Sequence, residues 1–91
     1  MQQIDEKTLF FKKVLGETIE KLRVKNGYNS RNKFADEYAL NDSNLGKIEN
    51  AIVECKFITL WKIIEALDID PIEFIKLFKE KLGKDFSLIE K

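Results

Sequence analysis

Residues 30–50 read SRNKFADEYALNDSNLGKIEN, and the fold turns on how this stretch divides. Ser30 and Asn41 both carry a short side chain able to accept from the free N–H groups at a helix start, so each is expected to open a short helix. Phe34, Ala35 and Tyr38 are the apolar positions of the first. Leu45, Ile48 and Ile52 are expected to turn inward from the second, whose N-terminal dipole Asp42 suits. Counting from Arg31, small Ala35 lies four residues on and Ala39 eight on, while Leu45 and Ile48 lie fourteen and seventeen on. A small residue in the first helix lets the next cross it closely at a steep angle, and a compact one in the break at Ala39-Leu40-Asn41 tolerates the bend. The later aliphatics anchor the second helix to a core, leaving its other face to solvent.

The same helical spacing extends outward in both directions. Phe11, Leu15, Ile19 and Leu22 step by four, four and three, one stripe of a first helix that ends near Asn26-Gly27. Residues 50–56 read as a loop. Beyond it Phe57, Leu60, Ile63, Ile64 and Leu67 form the stripe of a fourth helix, stopped by Asp68-Ile69-Asp70-Pro71. Asp70 as cap, Pro71 at the first helical position and Glu73 three residues after the cap start a fifth helix, with Phe74, Ile75, Phe78 and Leu82 inward before Gly83. The class is therefore all-α, a compact five-helix bundle. No repeat or linker divides residues 1–91, so a single domain is expected.

Composition narrows the function. Of 91 residues 44% are hydrophobic and 11% aromatic, enough for one small core. Sixteen basic and sixteen acidic residues cancel, so any charged partner must be met by local arrangement. With no His and a lone Cys55, a Cys/His zinc site, a Ser-His-Asp triad and a Cys-His pair are all excluded. Carboxylates are spaced as caps and surface charges, not as an acid/base pair. The expectation is a non-enzyme without metal or cofactor, with Cys55 as a packing residue. The polar start, Met1-Gln2-Gln3-Ile4, and the lack of any apolar run near ~18 residues point to a soluble, cytoplasmic chain.

Across roughly residues 14–75, Leu15-Gly16, Leu22-Arg23, Phe34-Ala35, Leu45, Ile48-Glu49, Thr59-Leu60, Lys62-Ile63, Ala66-Leu67 and Pro71 combine into a specific pattern. It resembles the Cro/repressor-type helix-turn-helix regulators, the xenobiotic-response-element family. The resemblance implies a lambda-repressor-like DNA-binding domain with its helix-turn-helix in helices 2 and 3, followed by a C-terminal helix and tail over 70–91. Such domains lay the third helix in the major groove of double-stranded DNA, usually as a homodimer on two half-sites. This chain departs from the family in having Arg31 for Gln, Ala39 and Ala51 for Gly, and an extra residue in the Tyr28-Asn29-Ser30 turn. A right-handed backbone is expected at Ala39, since a left-handed one would strain it.

The resemblance assigns base reading to Asp42, Ser43, Asn44, Lys47 and Asn50, over a recognition helix at about 42–50. Their chemistry suits it: Lys47 donates to guanine, Asn44 or Asn50 pairs with adenine, and Asp42 accepts from cytosine. Gly46 has no side chain to read with. Phosphate binding falls to Lys25, Arg31, Lys33 and Asn41, in a region with no acid between Glu20 and Asp36. The resemblance also implies a structural ion pair between Arg23 and Glu49. Apolar excess on the last two helices, at Ile58, Trp61, Phe74, Leu77 and Phe78, suggests a dimer or partner surface. The alternative function is a protein-interaction module on the same fold, antitoxin-like or accessory to another protein, with weak or no DNA binding.

Overall fold

The computed structural model describes residues 5–89, which form five α-helices and no strand. The helices are α1 (Glu6–Lys25), α2 (Arg31–Glu37), α3 (Asp42–Glu49), α4 (Phe57–Ala66) and α5 (Pro71–Leu82). The polar start at residues 1–4 and the tail's last residues, 90–91, lie outside the described residues. No described helix is long and apolar enough to cross a membrane.

Local side-chain chemistry sets most of the helix starts. Ser30 accepts from the N–H of Lys33 at 3.2 Å, Asn41 from that of Asn44 at 2.8 Å and Asp70 from that of Ile72 at 2.8 Å, each satisfying an otherwise unpaired donor. α1 opens on Asp5 in the same way, whereas Lys56 before α4 makes no side-chain cap.

Three helix ends share one geometry. After α1, α2 and α3 the chain enters the left-handed region at Gly27 (φ 93°), Ala39 (φ 55°) and Ala51 (φ 60°). The following N–H groups of Tyr28, Leu40 and Ile52 then reach back to the carbonyls of Arg23, Ala35 and Lys47 at 3.1, 2.8 and 2.8 Å. The right-handed conformation expected at Ala39 is thus corrected: only the left-handed turn brings the Leu40 N–H onto the Ala35 carbonyl.

One cluster of buried side chains draws on every helix, with Ile19, Phe34, Leu45, Ile63 and Phe74 among its most enclosed members. Each is worth about 1.5–3 kcal/mol of transfer free energy. α1 crosses α3 backbone to backbone at Gly16, where an added Cβ would stand 2.3 Å from the Glu49 carbonyl oxygen. α5 rests on α1, with the Phe11 and Phe78 rings meeting edge to face at 4.9 Å. Phe86 of the tail lies against Phe10 and Phe11.

That docking corrects several expectations. Phe74 and Phe78 are core residues, 0% and 6% exposed, and cannot belong to a partner surface. Ile75, expected inward, faces out instead. α5 presents one stripe to α1 and α4, and Ile75 falls beside it. Phe57, in the first turn of α4, is exposed, its ring tilted against that of Trp61 with centroids 6.1 Å apart. Ile52 is exposed as well, since the left-handed turn at Ala51 carries the chain away from the α3 stripe.

Candidate nucleic-acid interface

α3 buries Leu45, Gly46, Ile48 and Glu49 and turns a polar edge outward. Its place is fixed by a buried ion pair: Arg23 donates through Nε and Nη2 to the two carboxylate oxygens of Glu49, at 3.0 and 3.1 Å. The remaining Nη1 donates to the carbonyls of Tyr28 and Asn29 at 2.7 and 3.1 Å. One guanidinium therefore ties α1, the loop to α2 and the end of α3 together. The planar fork of arginine makes this possible, and a lysine would supply charge without the two parallel bonds.

The residues expected to read bases divide into two groups. Ser43, Asn44 and Lys47 are exposed, and their side chains make no hydrogen bond among the described residues. The other two are engaged within the protein. Asn50 donates through its amide to the Gly46 carbonyl at 2.8 Å, closing the end of its own helix. Asp42 accepts from Nε of Arg31 at 2.9 Å, with Asn32 at the edge of reach at 3.5 Å.

Of the residues expected on phosphates, Lys25 and Lys33 are exposed, in the last turn of α1 and the first turn of α2. Asn41 spends its side-chain oxygen on the α3 cap. Arg31 does not project from the start of α2. Its guanidinium lies over Gly46 of α3, where an added Cβ would be 2.8 Å from Cζ and 3.0 and 3.1 Å from the two Nη atoms. The hydrogen bond and charge of Arg31 hold the Asp42 carboxyl below its usual range, and the same bond raises the Arg31 pKa. Thus two cations of the acid-poor stretch, Arg23 and Arg31, are paired internally. Lys21, Lys25 and Lys33 make no ion pair among the described residues.

The Tyr28 hydroxyl donates to Glu37 at 2.8 Å and lies 3.2 Å from that of Tyr38. The Tyr38 and Glu37 contacts push its pKa above the ordinary phenol value. Burial pushes the Cys55 thiol up as well, away from the reactive thiolate. Among the described residues no three His, Cys, Asp or Glu side chains gather to hold a metal.

On α4, Ile58 (72% exposed) and Trp61 (44%) do face solvent, and Leu77 of α5 is half-buried. They are joined by residues not foreseen there. Ile72 and Ile75 line an open apolar groove with Trp61 and Pro71, and Lys76 and Lys79 also border it. Helical spacing sets Ile72 well away from the Phe74–Phe78 stripe, which was the available signal for it, whereas spacing groups Ile75 with that stripe and only its exposure assigns it to the groove. The packing of Arg31 on Gly46 had none, since the two residues are related only through the turn between α2 and α3.

No family model matches the chain, and no curated protein or solved structure is significantly similar to it.

Proposed function

We propose that the chain is a sequence-specific double-stranded DNA-binding protein, a small transcriptional regulator of the Cro/repressor type. In this reading α2 and α3 are a helix-turn-helix, and α3 enters the major groove. The observation that carries it is the exposed polar edge of α3, with Ser43, Asn44 and Lys47 uncommitted, on a helix held from behind by the Arg23–Glu49 pair. Such an edge on a rigid mount is what base readout needs. Lys25 and Lys33 add phosphate contacts, which give register and affinity without sequence information. The reaction chemistry of an enzyme has no place in this scheme.

The test is capture of fragmented genomic DNA at moderate salt, followed by sequencing, with the Ser43→Ala/Lys47→Ala double variant as control. The expected result is enrichment of a few sites by the wild type and loss of that enrichment in the variant. Lys25→Ala or Lys33→Ala should weaken all sequences alike and lower the salt slope by about one each. Equal enrichment by wild type and double variant would overturn readout through α3.

The exposed groove at Trp61, Ile72 and Ile75 favours a second reading, a surface for another chain. A homodimer formed there through Ile58, Trp61 and Leu77 would set two copies of α3 on successive half-sites. A protein-interaction module would use the same surface for a different protein. Trp61→Ala that removes partner capture yet leaves DNA capture of single sites unchanged supports the latter.

A further inference from the structure

We infer that Arg31, although it belongs to α2, is a base-reading residue beside the exposed edge of α3, directed at guanine and seated there by Gly46 and Asp42. This rests on the DNA-binding reading and deepens it. Gly46 is buried and lies beside Glu49, at the margin between the inward side of α3 and its exposed edge, one turn after Asp42 and one before Asn50. A glycine there costs the helix about 1 kcal/mol relative to alanine and leaves that margin without a side chain. The Arg31 guanidinium fills that space. Its Cζ and both Nη atoms would be almost equidistant from a Cβ at position 46, which means that the planar group lies flat against the helix there.

The orientation of the fork follows from its partner. Asp42 takes Nε at 2.9 Å, while neither Nη atom has a hydrogen-bond acceptor among the described residues. Two parallel donors on a guanidinium held at its third nitrogen match O6 and N7 of guanine, the commonest specific contact in the major groove. The same carboxylate disfavours phosphate. A phosphate approaching the Nη edge meets the Asp42 charge, whereas a neutral base edge does not. Gly46 and Asp42, which as α3 residues contribute nothing to or repel DNA, thus acquire one purpose, as seat and clamp.

The experiment is selection from a random duplex library by the wild type, Arg31→Lys, Gly46→Ala and Lys47→Ala, each first shown folded by thermal unfolding. Gly46→Ala is the decisive variant. The atoms it meets are the mobile end of Arg31, so the helix keeps or gains stability while the guanidinium is displaced. The expected wild-type site has a guanine at one fixed position. Arg31→Lys and Gly46→Ala should each lose that preference by roughly tenfold or more, while Lys47→Ala alters a different position. Replacing that guanine with 7-deazaguanine should weaken the wild type and leave Arg31→Lys unaffected. If Arg31→Lys binds every sequence more weakly by the same factor and keeps the guanine, Arg31 is a phosphate contact and the assignment fails. A wild type that enriches no duplex even at low salt overturns the DNA-binding reading and this assignment with it.

Discussion

Arg23 shows how much one side chain can hold at the residue scale. It is buried with Glu49, makes two bonds to that carboxylate and two to loop carbonyls, and leaves no side-chain donor or acceptor of the pair exposed to a poor solvent. Removing one member strands a charge inside the protein, at a cost of about 3–5 kcal/mol. Arg23→Met and Glu49→Met should each lower the urea unfolding free energy by that order. The double variant should lose clearly less than the two losses added together, because the stranded charge is then gone. Strict additivity would show that the pair is not coupled and that the loop carbonyls account for the arginine.

At the scale of the element, the ends of α2 and α3 are the instructive feature. Both use the left-handed closure that Gly27 serves after α1, yet both place alanine there. An L-residue in that region pays a steric cost of about 1–2 kcal/mol, which glycine avoids at some expense in chain entropy. At Gly27 an added Cβ would touch nothing, so backbone conformation rather than space favours the glycine. Ala39→Gly and Ala51→Gly are therefore expected to stabilise the protein by about 0.5–1 kcal/mol each, and Gly27→Ala to destabilise it by a similar amount, in chemical denaturation. Destabilisation by both alanine replacements would mean that these turns are not left-handed in solution. The turn at Ala39 also sets how α3 leaves α2, and with it the reach of Arg31 onto Gly46.

For the molecule as a whole, the two sides of the α4–α5 pair do different work. Phe74 and Phe78 close the core, while Ile58, Trp61, Ile72 and Ile75 stand outside it. Phe74→Ala should cost about 3–5 kcal/mol, the transfer free energy plus the cavity left behind. Ile58→Ala and Ile72→Ala should change stability by no more than about 0.5 kcal/mol, as measured by urea unfolding of the dilute protein. A large loss from Ile58→Ala would assign that side chain to folding and remove it from the surface offered to a partner. With sixteen charges of each sign the net charge is zero, so on the DNA-binding reading proposed above the attraction would come from the local layout of Lys25, Lys33 and Lys47.

The sequence by itself determined the helical class, the starts of α2, α3 and α5 and the inward stripe of α1. Those signals act over three or four residues: Ser30, Asn41 and Asp70 cap donors within their own first turn, and Leu15 and Ile19 recur at the helix period. It also exposed the uncommitted edge at Ser43, Asn44 and Lys47, since polar residues opposite a buried stripe face water. The packing of the helices settles which apolar residues of α5 are core: Phe74 and Phe78 are buried, as their stripe predicts, while Ile75, expected inward with them, faces out. Periodicity says which residues share a face, whereas the docking of α5 on α1 says where that face points. The same holds for the site. Asp42, Asn50 and Arg31 have side chains fit for DNA, but their partners are set by the crossing of α2 and α3, and a hydrogen bond across that crossing depends on distances that no local spacing encodes.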